Sequence, residues 1–144
     1  MAKVELKIVG KPQGKQRPKF SRRGKYVTTY TPDQTVSYEN YVKLCWMQSG
    51  AEKLDGNIKA TVKAHFKIPA SVSKKKHAEL KNSFYSHKPD ADNLAKIILD
   101  SLNGGLAYDD DAQVVWLEVC KVYDDEEFVV LTLEEITDEN LSEL

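Results

Sequence analysis

The sequence predicts an α/β fold: a small mixed sheet of about four strands flanked by helices. Apolar and polar residues alternate strictly at residues 4–8 and again at 58–66, the mark of half-buried strands. Leu94, Ile97, Ile98 and Leu102 form a single stripe at helical spacing. Strand-like and helix-like segments are also interspersed along the chain, which argues for helices packed on one sheet.

Each element follows from its local pattern. Val4, Leu6 and Ile8 alternate with Lys3, Glu5 and Lys7 until Gly10 and Pro12 end the first strand. The stretch GKPQGKQRPKFSRRGKY then mixes glycine, proline and cations without a period, so a basic loop is expected over residues 11–31. A loop of that length in a small domain is functional or disordered. Thr31, Pro32 and Asp33 open a surface helix that runs to about Gly50. After the Gly56-Asn57 turn, Ile58, Ala60, Val62, Ala64 and Phe66 alternate with polar residues in the clearest strand of the chain. Ser71 or Ser73 fits the cap of a short helix through SKKKHAELKNS. The next helix carries the Leu94 stripe and stops at Gly104-Gly105. Residues 114–119 are mostly apolar on both faces, which predicts a central strand. A turn through YDDEE leads to a last strand at residues 128–133, and this pair is expected to form an antiparallel hairpin because the link is too short for a crossover.

A length of 144 residues suits a single domain over 1–144, with an acidic tail at 135–144. Apolar residues make up 41% but are interrupted too often by charge to span a bilayer. The opening MAKVELKIVG reads as a strand and lacks the pattern of a secretory signal, so cytoplasmic residence is expected. Cys45 and Cys120 have no partners at metal-ligand spacing, and His65, His77 and His87 form no paired signature, so zinc is not indicated. The net charge of −1 conceals a strong polarity. Through Thr31 there are nine Lys or Arg against Glu5 alone, whereas from Asp109 onward thirteen acidic residues face only Lys121. The first end suits a polyanion.

The residues with chemical potential are acidic. Asp90 and Asp92 are separated by Ala91 just before a helix, so in an extended lead-in both carboxylates point the same way. Either Asp92 or Asn93 fits the helix cap. Lys96 follows Asp92 by four residues and Asp100 follows Lys96 by four, which sets all three on one polar stripe. Asp109, Asp110 and Asp111 come directly before the strand at 114. If the strand starts beside the helix, two or three carboxylates meet near a lysine. Like charges at that separation are costly unless a cation neutralises them, and Mg²⁺ takes oxygen ligands. Spacing alone equally allows a cap, a solvated loop and a minor surface ion pair.

The segment KPDADNLAKIILDSLNGGLAYDDDAQV resembles the core motif of RusA-like Holliday junction resolvases, a D-x-D-N-x-x-K stretch followed by D-D-A-Q-V. GKPQGKQRPKF and YVTTYTPD resemble the Gram-positive and phage branch of that family, whose members include prophage proteins. The resemblance covers most of residues 4–133 and is strongest at 88–114. It implies a homodimeric, Mg²⁺-dependent endodeoxyribonuclease of recombination and repair that nicks four-way DNA junctions symmetrically. It puts the catalytic aspartates on Asp90, Asp92 and Asp111 and the essential lysine on Lys96. Asp90, Asp92 and Asp111 would be the metal ligands, with Asp110 as a further candidate. The N-terminal region differs in length from the shorter enterobacterial form, which leaves branched or flap DNA open as the substrate.

Lys11, Lys15, Arg17, Lys19, Arg22, Arg23, Lys25 and Lys88 are the candidate DNA-binding residues, since phosphate contacts position a duplex without reading its sequence. A competing reading is a non-catalytic nucleic-acid-binding protein whose aspartates are caps and turn residues. The restriction-nuclease pattern is excluded, because Glu118 and Lys121 are three apart and so on opposite faces of their strand. GKPQGKQ does not have the spacing of a phosphate-binding loop.

Overall fold

In the computed structural model, which describes residues 1–24 and 26–144, two sheets and three α-helices follow in the order β1 (Lys3–Val9), β2 (Lys19–Arg23), β3 (Tyr26–Tyr30), α1 (Asp33–Ser49), β4 (Asn57–Lys67), α2 (Lys74–Leu80), α3 (Ala91–Ser101), β5 (Val114–Asp124) and β6 (Phe128–Ile136). The main sheet has the spatial order β1-β6-β4-β5, with β4 and β5 parallel and the other pairs antiparallel. The expected mixed sheet of four strands with flanking helices is therefore the observed one. Helices α2 and α3 lie in the crossover from β4 to β5, the long connection that a parallel pair requires.

The register explains the core. Leu6 pairs with Leu131, and Leu131 with Val62; Ile8 pairs with Val129, and Val129 with Ala64. Facing residues share a side of the sheet, so these buried side chains form one continuous apolar face. Tyr38, Val42 and Trp46 of α1 and Leu94, Ile97 and Ile98 of α3 complete the same core. At α3 this follows from the apolar stripe; at α1 the apolar positions are diluted, and only a few of them are buried.

Three expectations are corrected. First, β5 is an edge strand, not a central one. Residues 82–85 cover the outer edge of its C-terminal half, with the amide of Tyr85 donating to the Lys121 carbonyl at 3.0 Å and that of Tyr123 to the Ser83 carbonyl at 2.9 Å, whereas in the apolar half that suggested a central strand Val115 and Leu117 stay exposed. On the opposite face of the sheet, Trp116 lies 4.0 Å beneath the Lys59 ammonium. Second, β5 and β6 do not pair; β4 lies between them. Skipping one strand requires a span of about 10 Å, which the short link over residues 125–127 can cover. Third, the basic segment is not all loop, since β2 and β3 form a two-stranded hairpin within it. The acidic tail is likewise ordered further than expected, as β6 runs to Ile136 and a 3-10 helix spans Asp138–Glu143.

Candidate active site

Asp90 occupies the N-cap position of α3, with extended backbone angles, yet its carboxylate makes no capping hydrogen bond. Both carboxylate oxygens instead accept from the Lys88 ammonium at 2.9 Å. That bond, with the more distant Lys121 ammonium, holds the Asp90 carboxyl below its ordinary pKa. Asp92 is in the first turn of the helix and exposed. The cap alternatives read from sequence, Asp92 and Asn93, are thus displaced by Asp90.

The loop before α3 is tied down from two sides. The Lys121 ammonium reaches across from β5 and donates to the carbonyls of His87 and Pro89 at 2.8 and 2.9 Å. The Tyr85 hydroxyl donates to the Lys88 carbonyl at 3.1 Å, and its ring stacks on Phe66. From the N-terminal side the amide of Lys15 donates to the Asn93 carbonyl at 2.9 Å. This close approach requires glycine at position 14: a Cβ there would lie 2.7 Å from Pro89 Cβ and 3.2 Å from Asn93 Cβ. Between the two segments lies an open cleft of about 360 Å³, lined in part by Lys11, Gln13, Gln16, Lys88, Asp90 and Asn93.

Asp111 belongs to a second group of charges. Gly104 and Gly105 turn the chain at positive φ (80° and 107°), and the Asn103 side-chain oxygen accepts from the amides of Gly104 and Asp111 at 2.8 and 3.1 Å. Buried Tyr108 anchors the turn through its hydroxyl, which donates to the Leu99 carbonyl at 2.6 Å. Asp111 is thereby placed among Asp110, Asp100 and Lys96. Partial burial, its hydrogen bond with Asp110 and the nearby Asp110 and Asp100 charges raise its pKa, and Lys96 opposes the rise. The Lys96 ammonium is 3.4 Å from Asp100, which is also 3.4 Å from the Lys15 ammonium; Lys15 in turn contacts Glu39 of α1 at 3.0 Å.

Asp110 serves as a cap: its carboxylate accepts from the Ala112 amide at 2.9 Å, and Gln113 closes the box by accepting from the Asp110 amide. Asp109 pairs with Lys53 at 2.7 Å on the surface. Among the described residues no three Asp, Glu, His or Cys side chains are grouped closely enough to form a ready-made metal cage. Magnesium does not demand one, since it keeps several waters and is commonly held by one or two carboxylates together with substrate phosphates. An all-oxygen donor set, with Asp111 crowded by like charges, fits such an ion.

A protein-family model described as Endodeoxyribonuclease RusA matches residues 10–134. The chain belongs to the RusA family. It is also 34% identical over 139 residues to the uncharacterized protein YqaN of Bacillus subtilis (strain 168), a match that takes in 93% of this chain and 97% of that one. The span matched to RusA contains the two acidic segments, the cleft and the hairpin.

Of the candidate DNA-binding residues of this RusA family chain, Lys11 and Lys88 line the cleft, and Arg17, Lys19 and Arg22 are exposed along the segment that leads into and through β2. Lys15 also lines the cleft, with its ammonium engaged by Glu39 and Asp100, which ties α1 to α3. Lys25 and the Arg23 side chain lie outside the described residues. Sequence reasoning missed Lys121, Asn103, Glu39 and Gly14. Their roles come from contacts between distant segments, for which the local pattern holds no signal. No helix is long and apolar enough to cross a membrane among the described residues.

Proposed function

We propose that this chain is a Mg²⁺-dependent endodeoxyribonuclease that resolves four-way DNA junctions by paired symmetric nicks and works as a homodimer. The observation that carries this reading is the Asp90 carboxylate, which stands at a helix N-cap without capping it and lines a cleft walled by the basic N-terminal segment. Membership of the RusA family supports the same reaction class.

In this reading Asp90 and Asp92 at the start of α3 and Asp111 from the second group of charges would hold the metal together with a substrate phosphate, and the Asp110 carboxylate would stay with its cap. The chemistry that a bound Mg²⁺ supplies is polarisation of the scissile phosphate and a lowered pKa for the attacking water. Lys96 meets the negative charge that develops on the phosphate, while Asp100 steadies its ammonium. Lys11, Lys88, Arg17, Lys19 and Arg22 take up the phosphates that flank the cut. Lys121 keeps the loop that carries Asp90 in place.

Two nicks on opposite strands call for two active centres, and the free half of the β5 edge offers a surface for a second copy. Val115 and Leu117 are 58% and 44% exposed there, beside Leu141 and Leu144. Apolar edge strands of that kind are sites of strand addition.

The test is cleavage of a labelled mobile four-way junction and its matched linear duplex in Mg²⁺, with an EDTA control and Asp92→Asn alongside. Paired, metal-dependent nicks on the junction that Asp92→Asn abolishes, with folding and DNA binding kept, are expected. Tight binding without nicks would transfer the assignment to a binding protein, and nicking confined to flaps would narrow it to a flap nuclease.

A further inference from the structure

The β2–β3 hairpin stands clear of the core. Every described residue from Lys19 to Tyr30 except Ser21 is exposed, with Phe20, Tyr26 and Tyr30 at 75%, 78% and 51%. A two-stranded hairpin that buries nothing is marginal in water, and large exposed aromatics add to its cost. Such a surface has a use only when something covers it.

The register shows what each face presents. Facing residues share a side, so Tyr26, Tyr30 and Lys19 stand on one face with Ser21 and Thr28 between them, while Phe20, Arg22 and Val27 stand on the other with Thr29. A ribbon that merely lay along a duplex would need cations on one face. This one carries an aromatic and a cation on both. Charge then selects the class of partner: residues 10–32 contain seven Lys or Arg and no acidic residue, which suits a polyanion and disfavours a second copy of so basic a segment. The root of the hairpin is fixed beside the Asp90 cleft, where the Gln16 amide donates to Thr35 Oγ1 at 3.2 Å and the Lys15 amide to the Asn93 carbonyl.

We infer that the hairpin is a base-stacking arm: it enters the opening of a branched DNA, with Tyr26 and Tyr30 on one side and Phe20 on the other taking unpaired nucleobases, and Lys19 and Arg22 taking the adjacent phosphates. This rests on the branched-DNA reading above and adds the means by which a branch is told from a duplex. Stacking on aromatic side chains tolerates any base, so the arm selects structure and not sequence.

The experiment uses the full-length protein in EDTA, so that no strand is cut. Binding is measured to a four-way junction with 2-aminopurine at the branch point and to the matched linear duplex. The Phe20→Ala/Tyr26→Ala/Tyr30→Ala variant is compared with the conservative Tyr26→Phe/Tyr30→Phe variant. Thermal melting of the triple variant should match the parent, because these side chains are not part of the core. Each lost aromatic is expected to weaken junction binding by on the order of tenfold. Duplex binding should stay within about twofold, since the cations that make the phosphate contacts remain. The 2-aminopurine response should vanish in the triple variant and persist in the phenylalanine variant. A triple variant that keeps the parent's junction preference and fluorescence overturns the arm, as does one that loses junction and duplex binding equally or changes only its oligomeric state. Parent protein that does not distinguish junction from duplex overturns the branched-DNA reading itself.

Discussion

Substituting Gly14 by alanine tests whether the N-terminal segment is seated on the start of α3. The added methyl would lie 2.7 Å from Pro89 Cβ, an atom fixed to its backbone, and 3.2 Å from Asn93 Cβ. Neither neighbour is the far end of a flexible side chain, so the segment must move. Overpacking of this kind costs about 1–3 kcal/mol. Displacement also weakens the Lys15 amide bond to Asn93, worth about 1 kcal/mol net. Against this, alanine reduces the freedom of the unfolded chain and returns about 0.4–1 kcal/mol. The net loss is about 1–3 kcal/mol, or a fall in Tm of roughly 3–10 °C for a chain of this length. Equilibrium urea unfolding measures the first quantity and calorimetry the second. Because the same displacement opens the cleft at Asp90, junction cleavage should fall further than the stability loss explains at a temperature where the variant is fully folded. A Gly14→Ala protein with parental stability and parental cleavage would refute the seating of this segment.

Three further outcomes follow from other parts of the structure. Lys121→Met removes two hydrogen bonds to the loop that carries Asp90, so a Mg²⁺ titration of cleavage should shift to higher metal while DNA binding in EDTA is kept; an unshifted titration argues against a positioning role. Leu117→Asp puts a charge on the free β5 edge and should convert a dimer to a folded monomer in sedimentation equilibrium; an intact dimer would place the interface elsewhere. Asp124 is held below its ordinary pKa first by the Asp125 amide and then by His65, and Asp125 first by Lys81 and then by His77. A depressed folded pKa stabilises above the unfolded value, so the urea midpoint should drop as pH falls from about 5 to about 3, and Asp124→Asn should flatten that drop.

What the sequence made legible is what the chain encodes locally. Helix α1 was readable from Pro32 and Gly50, β4 from its alternation, and the end of α3 from Gly104-Gly105, because turns, caps and periods are set by neighbours in the chain. The β2–β3 hairpin was not readable, because alternation reports burial on one side and this ribbon buries neither. Its only signs were Gly24, at φ 57°, and the β-branched and aromatic run YVTTY after it. Strand β5 looked central because residues 114–119 are mostly apolar on both faces, yet this is the half of the edge left open, with Val115 and Leu117 exposed, while residues 82–85 cover only the C-terminal half. At the candidate site, spacing drew attention to Asp90, Asp92, Lys96, Asp100 and the run Asp109, Asp110 and Asp111, and the family resemblance singled out Asp90, Asp92, Lys96 and Asp111 among them. The lysines that organise them, Lys15 and Lys121, come from the N-terminal segment and from β5, and only the folded topology brings them in.

The division of charge around α3 explains why Asp111, and not Asp90, is the strained carboxylate. Asp90 has the Lys88 ammonium on both of its oxygens and is stabilised as an anion. Asp111 shares its surroundings with Asp100 and Asp110, and the cations at hand are already committed: Lys15 is divided between Glu39 and Asp100, and Lys96 contacts Asp100. Two ammonium groups therefore serve four carboxylates, an excess of negative charge that the fold leaves uncompensated. Since like charges favour proton uptake or a bound cation, a divalent ion held in the proposed site would relieve this crowding. A phosphate alone would be repelled by the same group. In the proposed site the cation would accompany the scissile phosphate, while the exposed cations of the N-terminal segment hold the flanking phosphates without it.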